Sequence, residues 1–127
     1  MTQTHRTAMS PTEPREGRGR VTTTVNVPGQ VGWNAKQDID DSGCLHPHTI
    51  RALENIEKAV MSGGTRHDVL SLRIYIVGEW VHDAIVVRGS LRAFFYANRL
   101  PSSKWMGVSA LISRDVLIEI EAAAEVD

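Results

Sequence analysis

Residues 69–76 read Val-Leu-Ser-Leu-Arg-Ile-Tyr-Ile, an alternation that puts Leu70, Leu72, Ile74 and Ile76 on one side and Ser71, Arg73 and Tyr75 on the other. A period of two over this length predicts a strand with a single apolar face, which must be covered. The cover is written just upstream. Ile50, Leu53, Ile56 and Val60 recur at helical spacing, Pro47 suits an opening helical position, and Gly63-Gly64 ends the run. The change of period across the two glycines therefore predicts a helix followed by the strand it packs on. Downstream, Val81, Ala84, Ile85, Leu91, Phe94 and Phe95 describe a second helix, with Gly89 a weak spot and Pro101 beyond its end.

The flanks supply the remaining strands. Residues 21–27 are dense in β-branched side chains, and Pro28-Gly29 interrupts them before Gln30-Val-Gly-Trp33 resumes an extended pattern. This reads as a strand bent or bulged at the glycine, where a second backbone or a ligand can come close. Residues 34–44 read as a loop. Two further strands are expected over Lys104 to Leu111 and Val116 to Val126, paired antiparallel around the turn Ser113-Arg114-Asp115. Residues 1–20, rich in Thr, Pro, Gly and charge, offer little that offsets the entropy of ordering a backbone. They are expected to be a flexible tail ahead of one domain over 21–127. The expected class is α/β in the α+β sense: a mostly antiparallel mixed sheet with two helices on one face. The other face is left without a cover that the chain itself can provide, and identical subunits are the simplest one.

Chemistry is narrowed mainly by what is missing. Basic and acidic side chains number 14 and 15, and no Lys/Arg-dense stretch falls in the folded part, so no nucleic-acid partner is expected. With no run of about 18 apolar residues and no apolar leader, neither a membrane nor export is expected. One cysteine, Cys44, cannot form an internal disulfide, and a cytoplasmic location follows as an expectation. Cys44, His46 and His48 lie close together but match no metal spacing, and no nucleotide or cofactor motif is present, so neither metal nor cofactor is expected.

Several runs carry a family likeness: Pro28-Gly29-Gln30, the helix Ala52-Leu-Glu-Asn-Ile-Glu-Lys-Ala59 ending at Gly63-Gly64, Phe94-Phe95, and above all Ile118-Glu-Ile-Glu-Ala122. From Val25 to Val126 the chain resembles the RidA (YjgF) family of reactive-intermediate imine and enamine deaminases. The resemblance implies a chorismate-mutase-like fold, a homotrimer, and ligand clefts between neighbouring subunits. It also implies a site wall at Gly29 and Gln30, and Glu119 as the group that holds or activates water. Where the deaminases carry the Arg that grips a substrate carboxylate, this chain has Ser103, and a hydroxyl cannot replace a bidentate guanidinium. Lys104 next to it should point to the opposite face. Arg88 aligns with a family Asn on the second helix, from where it could meet an anion. Trp105 falls where the family usually has a small residue facing the cleft, and Trp33 follows the bend that forms the other wall; Trp80 is expected only to start the helix and pack locally.

These substitutions predict a diverged small-molecule enzyme. It would work by acid–base chemistry at Glu119 on an imine, an enamine or a related unsaturated metabolite, including by isomerisation, dehydration or cyclisation, with indole walls in place of the charge clamp. The alternatives are an ordinary imine/enamine deaminase and a non-catalytic ligand-binding or chaperone-like trimer, with ribonuclease activity last.

Overall fold

The computed structural model describes residues 2–7, 20–34, 36, 38–39, 44–61, 64–96 and 100–126. In chain order they form β1 (Thr2–Thr7), β2 (Arg20–Gln30), α1 (Leu45–Val60), a 3₁₀ turn (Arg66–Asp68), β3 (Val69–Val77), α2 (Trp80–Phe95), β4 (Ser102–Val108) and β5 (Ile118–Val126). The five strands make one sheet in the order β1-β2-β5-β3-β4. Only β3 and β4 run parallel; every other pair is antiparallel.

This order explains the helices' shared face. The β2–α1–β3 and β3–α2–β4 crossovers each link parallel strands, and both step in the same direction across the sheet. Right-handed crossovers stepping the same way put both helices on the same side. Under α1, the stripe Thr49, Ala52, Leu53, Ile56 and Val60 is buried. It rests on a sheet face made by Val25 and Val27 of β2, Leu72, Ile74 and Ile76 of β3, and Ile118, Ile120, Ala122 and Ala124 of β5. β5 alternates buried and half-buried side chains along its whole length, as its sequence does. A bidentate pair from Arg66 to Glu57, at 2.6 and 3.0 Å, joins the end of α1 to the 3₁₀ turn, and the same guanidinium donates to the Phe94 carbonyl at 2.8 Å and covers the Phe94 ring.

Several expectations need correction. β4 and β5 do not form a hairpin: residues 109–117 carry the chain away from β4 and back to the middle of the sheet. The strictly alternating β5 is the strand that can use a full helix cover on one face. The mixed pattern of β4 suits an edge. A bulge between Val69 and Ser71 shifts the register of β3, so Val69 enters the core and Leu70, expected inside, is 53% exposed. In α2 the core takes Val87, Ser90, Leu91, Phe94 and Phe95, whereas Val81 and Ile85, expected on the buried stripe, are exposed. α1 begins at Leu45 behind Cys44, so Pro47 lies in the first turn rather than at its first position. The helix ends at Val60 as expected, but Gly63 lies outside the described residues. Within the segment expected to be a tail, Thr2–Thr7 pairs with β2 as an edge strand; residues 8–19 lie outside the described ones. The bulge expected at Pro28-Gly29 is present, as a register shift between Val27 and Gln30.

Candidate functional site

The residues singled out from the sequence fall into two groups on opposite faces of the sheet. Strand registers decide this. Ile74, buried beneath the helices, is level with Trp105 of β4, so Trp105 and Ser103 lie on the helix face. Tyr75, one residue on, is level with Glu119 of β5, and Arg73 with Glu121, so these four line the open face. Lys104, level with Arg73, also sits on the open face, away from Ser103, as its alternation predicts.

On the open face the two glutamates of Ile118-Glu-Ile-Glu live in different surroundings. Glu121 accepts a 2.5 Å hydrogen bond from the Tyr75 hydroxyl and a 3.1 Å bond from Arg73 Nε. The Tyr75 bond, aided by Arg73, holds its carboxyl below the usual range against the opposing effect of burial. Among the described residues Glu119 has no such support. Burial pushes its pKa up, and the negative charge of Glu121 pushes the same way. Its carboxylate lies directly over Gly29: a β-carbon there would stand 2.5 Å from the carboxylate carbon and 2.8 Å from Cγ. The glycine of the β2 bulge is thus the floor on which the Glu119 side chain rests. Gln30, level with Ile120, folds back, its Nε2 donating to the Pro28 carbonyl at 2.9 Å.

On the helix face, α2 and the edge strand β4 enclose a groove of about 350 Å³ that contains Arg88, Ser103 and Trp105. The Trp105 indole N–H donates to Ser103 Oγ at 2.7 Å. Trp80, in the first turn of α2, lies over Gly107 and meets Trp105 edge to face, with ring centres 6.1 Å apart. Sequence reasoning missed Trp80 as a wall of this groove. The available signal was the spacing Trp80, Ala84, Arg88, which puts all three on one helix face with a small residue in the middle.

Trp33 follows the β2 bulge and is fixed through its backbone. It bridges to Ile39, and its carbonyl accepts from Asn55 Nδ2 of α1 at 3.2 Å. His46 Nδ1 lies 2.6 Å from Ser90 Oγ, His48 is buried in α1, and Cys44 is exposed with a free thiol. Among the described residues no three His, Cys, Asp or Glu side chains converge as metal ligands, and no helix is long and apolar enough to cross a membrane.

Comparison with known proteins fits this geometry. A family model described as Endoribonuclease L-PSP matches residues 13–126. The chain belongs to the RidA (YjgF) family. Among solved RidA-type structures, the Rid-family protein YyfB of Yersinia pestis, of unknown function, is 27% identical, with a TM-score of 0.73 over 94% of this chain and 97% of its own. A member of the YjgF/YER057c/UK114 family from Mycobacterium tuberculosis is 29% identical, with a TM-score of 0.67 over 96% of this chain and 100% of its own. The E. coli protein TdcF, solved with bound serine, shares the fold at 22% identity and a TM-score of 0.68, over 84% of this chain and 80% of its own. No curated protein matches the chain. The RidA fold assigned from sequence, two helices on one face of a mixed, mostly antiparallel sheet, is the one observed.

Proposed function

We propose that this RidA-family chain is a small-molecule enzyme that acts by acid–base chemistry on an imine, an enamine or a related unsaturated metabolite, with Glu119 as the proton-transferring group. One observation carries the reading. Two carboxylates, two residues apart on one strand, have their pKa values driven in opposite directions, Glu121 down by Tyr75 and Arg73 and Glu119 up by burial and by Glu121. Environments that separate two neighbouring acids assign the roles: the one held ionised acts as a fixed charge, and the one whose protonated form is favoured is suited to exchange a proton.

For an imine, neutral Glu119 protonates the nitrogen, and its carboxylate then takes a proton from water as the water oxygen bonds to carbon. Return of that proton to nitrogen lets the C–N bond break while the hydroxyl proton passes to the Glu119 carboxylate, giving a carbonyl compound and ammonia and restoring neutral Glu119. A substrate that is only isomerised would use the same two transfers without the water.

Within one copy the Glu119 face and the groove holding Arg88, Ser103 and Trp105 are separated by the sheet. One ligand reaches both only where a neighbouring copy presents its Glu119 face to the groove, which favours the homotrimer with shared clefts that the resemblance implies. A fold relative, TdcF, was solved with a small molecule bound, in keeping with a small-molecule substrate. The family description names an endoribonuclease, but among the described residues the groove offers one cation, Arg88, and no basic track for a phosphate backbone.

The test is ammonia release from an imine generated in situ by an amino-acid oxidase. Glu119→Gln should lower the rate by about 10²–10⁴-fold, the range of a lost general acid–base, while leaving the oligomer intact. An unchanged rate, or a monomer in dilute solution, would overturn the reading.

A further inference from the structure

The groove between α2 and β4 has a lining that argues for a definite ligand chemistry. Its walls are apolar: Trp80 and Trp105 at one end, with Ile85, Leu91 and Leu100 along the sides. Ile85 and Leu100 are 69% and 40% exposed, large apolar side chains left at the surface beside the opening. The helix geometry explains the hollow. Trp80, Ala84 and Arg88 repeat every four residues, so the short Ala84 side chain leaves a gap between an indole and an arginine whose Cα atoms are about 12 Å apart along the axis, at 1.5 Å per residue.

The polar groups all have the same sense. Arg88 has no carboxylate or carbonyl partner among the described residues, and no acidic side chain lines the groove. Ser103 Oγ already accepts the Trp105 N–H, which leaves its own hydroxyl proton to donate. The groove therefore presents one cation and one donor at its polar end and two aromatic faces at the other.

We propose that this groove binds a small anion with a flat apolar body, the charged end on Arg88 and Ser103 and the body against Trp80 and Trp105. It rests on the functional reading above only in taking the groove as the substrate-holding half of the reacting site. Trp80 and Arg88 then set specificity, and small aliphatic acids, which leave the indole walls unfilled, are poor ligands.

Calorimetric titration of the 127-residue chain with 2-naphthoate, its neutral counterpart 2-naphthamide, and propionate tests the assignment. The acid should bind about tenfold or more tightly than the amide, the scale of a charge-assisted hydrogen bond, and propionate far more weakly than either. Arg88→Gln should abolish the preference for acid over amide. Trp80→Ala should weaken both aromatic ligands, and Trp80→Leu, which keeps apolar bulk to protect the fold, should weaken them as well. Equal affinity for acid and amide, a preference that survives Arg88→Gln, propionate binding as tightly as 2-naphthoate, or no binding at all would overturn it. Repeating the titration with Glu119→Gln separates the two proposals: acid preference kept while turnover is unaffected upholds the groove and removes the acid–base reading. Turnover lost in a protein without acid preference does the reverse.

Discussion

Gly29→Ala is the substitution for which the structure gives the sharpest expectation, because it predicts a change of sign. The backbone at Gly29 lies outside the left-handed region, so alanine adopts it without strain. Stiffening the unfolded chain would then stabilise the protein by about 0.4–1 kcal/mol. Against this stands the added β-carbon, 2.5 and 2.8 Å from two carbons of the Glu119 side chain. The obstacle is the end of a flexible side chain, so the carboxylate swings away at a cost of about 1–3 kcal/mol in overpacking and strained rotamers. The net expectation in the native background is a loss of up to about 2.6 kcal/mol, or up to roughly 10 °C in Tm for a domain of this size. In a Glu119→Ala background the obstacle is gone and only the gain remains. The double-mutant cycle, read by urea unfolding at one fixed protein concentration, should therefore give a coupling of about 1–3 kcal/mol with Gly29→Ala stabilising in the second background. The same cost in both backgrounds would show that Glu119 does not rest on Gly29, and the geometry argued for the acid would fall with it.

Other consequences are simpler to check. Tyr75→Phe removes the main support of the ionised Glu121 carboxylate. Because that carboxyl is depressed in the fold, the stability it contributes is whole above its ordinary value near 4.5 and is lost as pH falls through the depressed folded value. Tyr75→Phe should thus cost more stability at about pH 7 than at about pH 3, and a deficit that grows on acidification would contradict the assignment. Val69→Ala should cost about 1.5–3 kcal/mol, whereas Leu70→Ala should stay within about 0.5 kcal/mol. The reverse order in thermal or urea unfolding would mean that the β3 bulge is misplaced.

The sequence made the local elements legible and left their lateral arrangement partly hidden. α1, β3 and β5 each bury one face against a uniform apolar layer, so period alone revealed them. Pairing depends on distant partners. A short polar segment after β4 looks like a hairpin turn, yet the better use of β5 is between β2 and β3, where a helix can cover it. The β3 bulge escaped because Val69 and Leu70 are equally apolar, and only the partner strand decides which goes inside. The same holds for α2, whose first half is as greasy as its second but faces the groove rather than the core.

For the site, Glu119, Gly29, Arg88, Ser103 and Trp105 were all visible as unusual or family-marked positions. Their division between two faces was not, since alternation places residues within a strand and says nothing of which strands adjoin. Trp33 is tied to α1 through its backbone carbonyl, a contact with Asn55 that no local pattern announces.

The position of β5 bears on how such a chain is made. The strand nearest the C-terminus is the one inserted between β2 and β3, so while a ribosome is still producing it, two partners that must flank it have no shared neighbour. Their inward edges stay open to any passing extended peptide until β5 itself has been made. Nascent chains of this topology therefore complete their sheet only after β5 follows β2 and β3, in a long-range step, and crowded synthesis without an escort would favour mispairing at that stage.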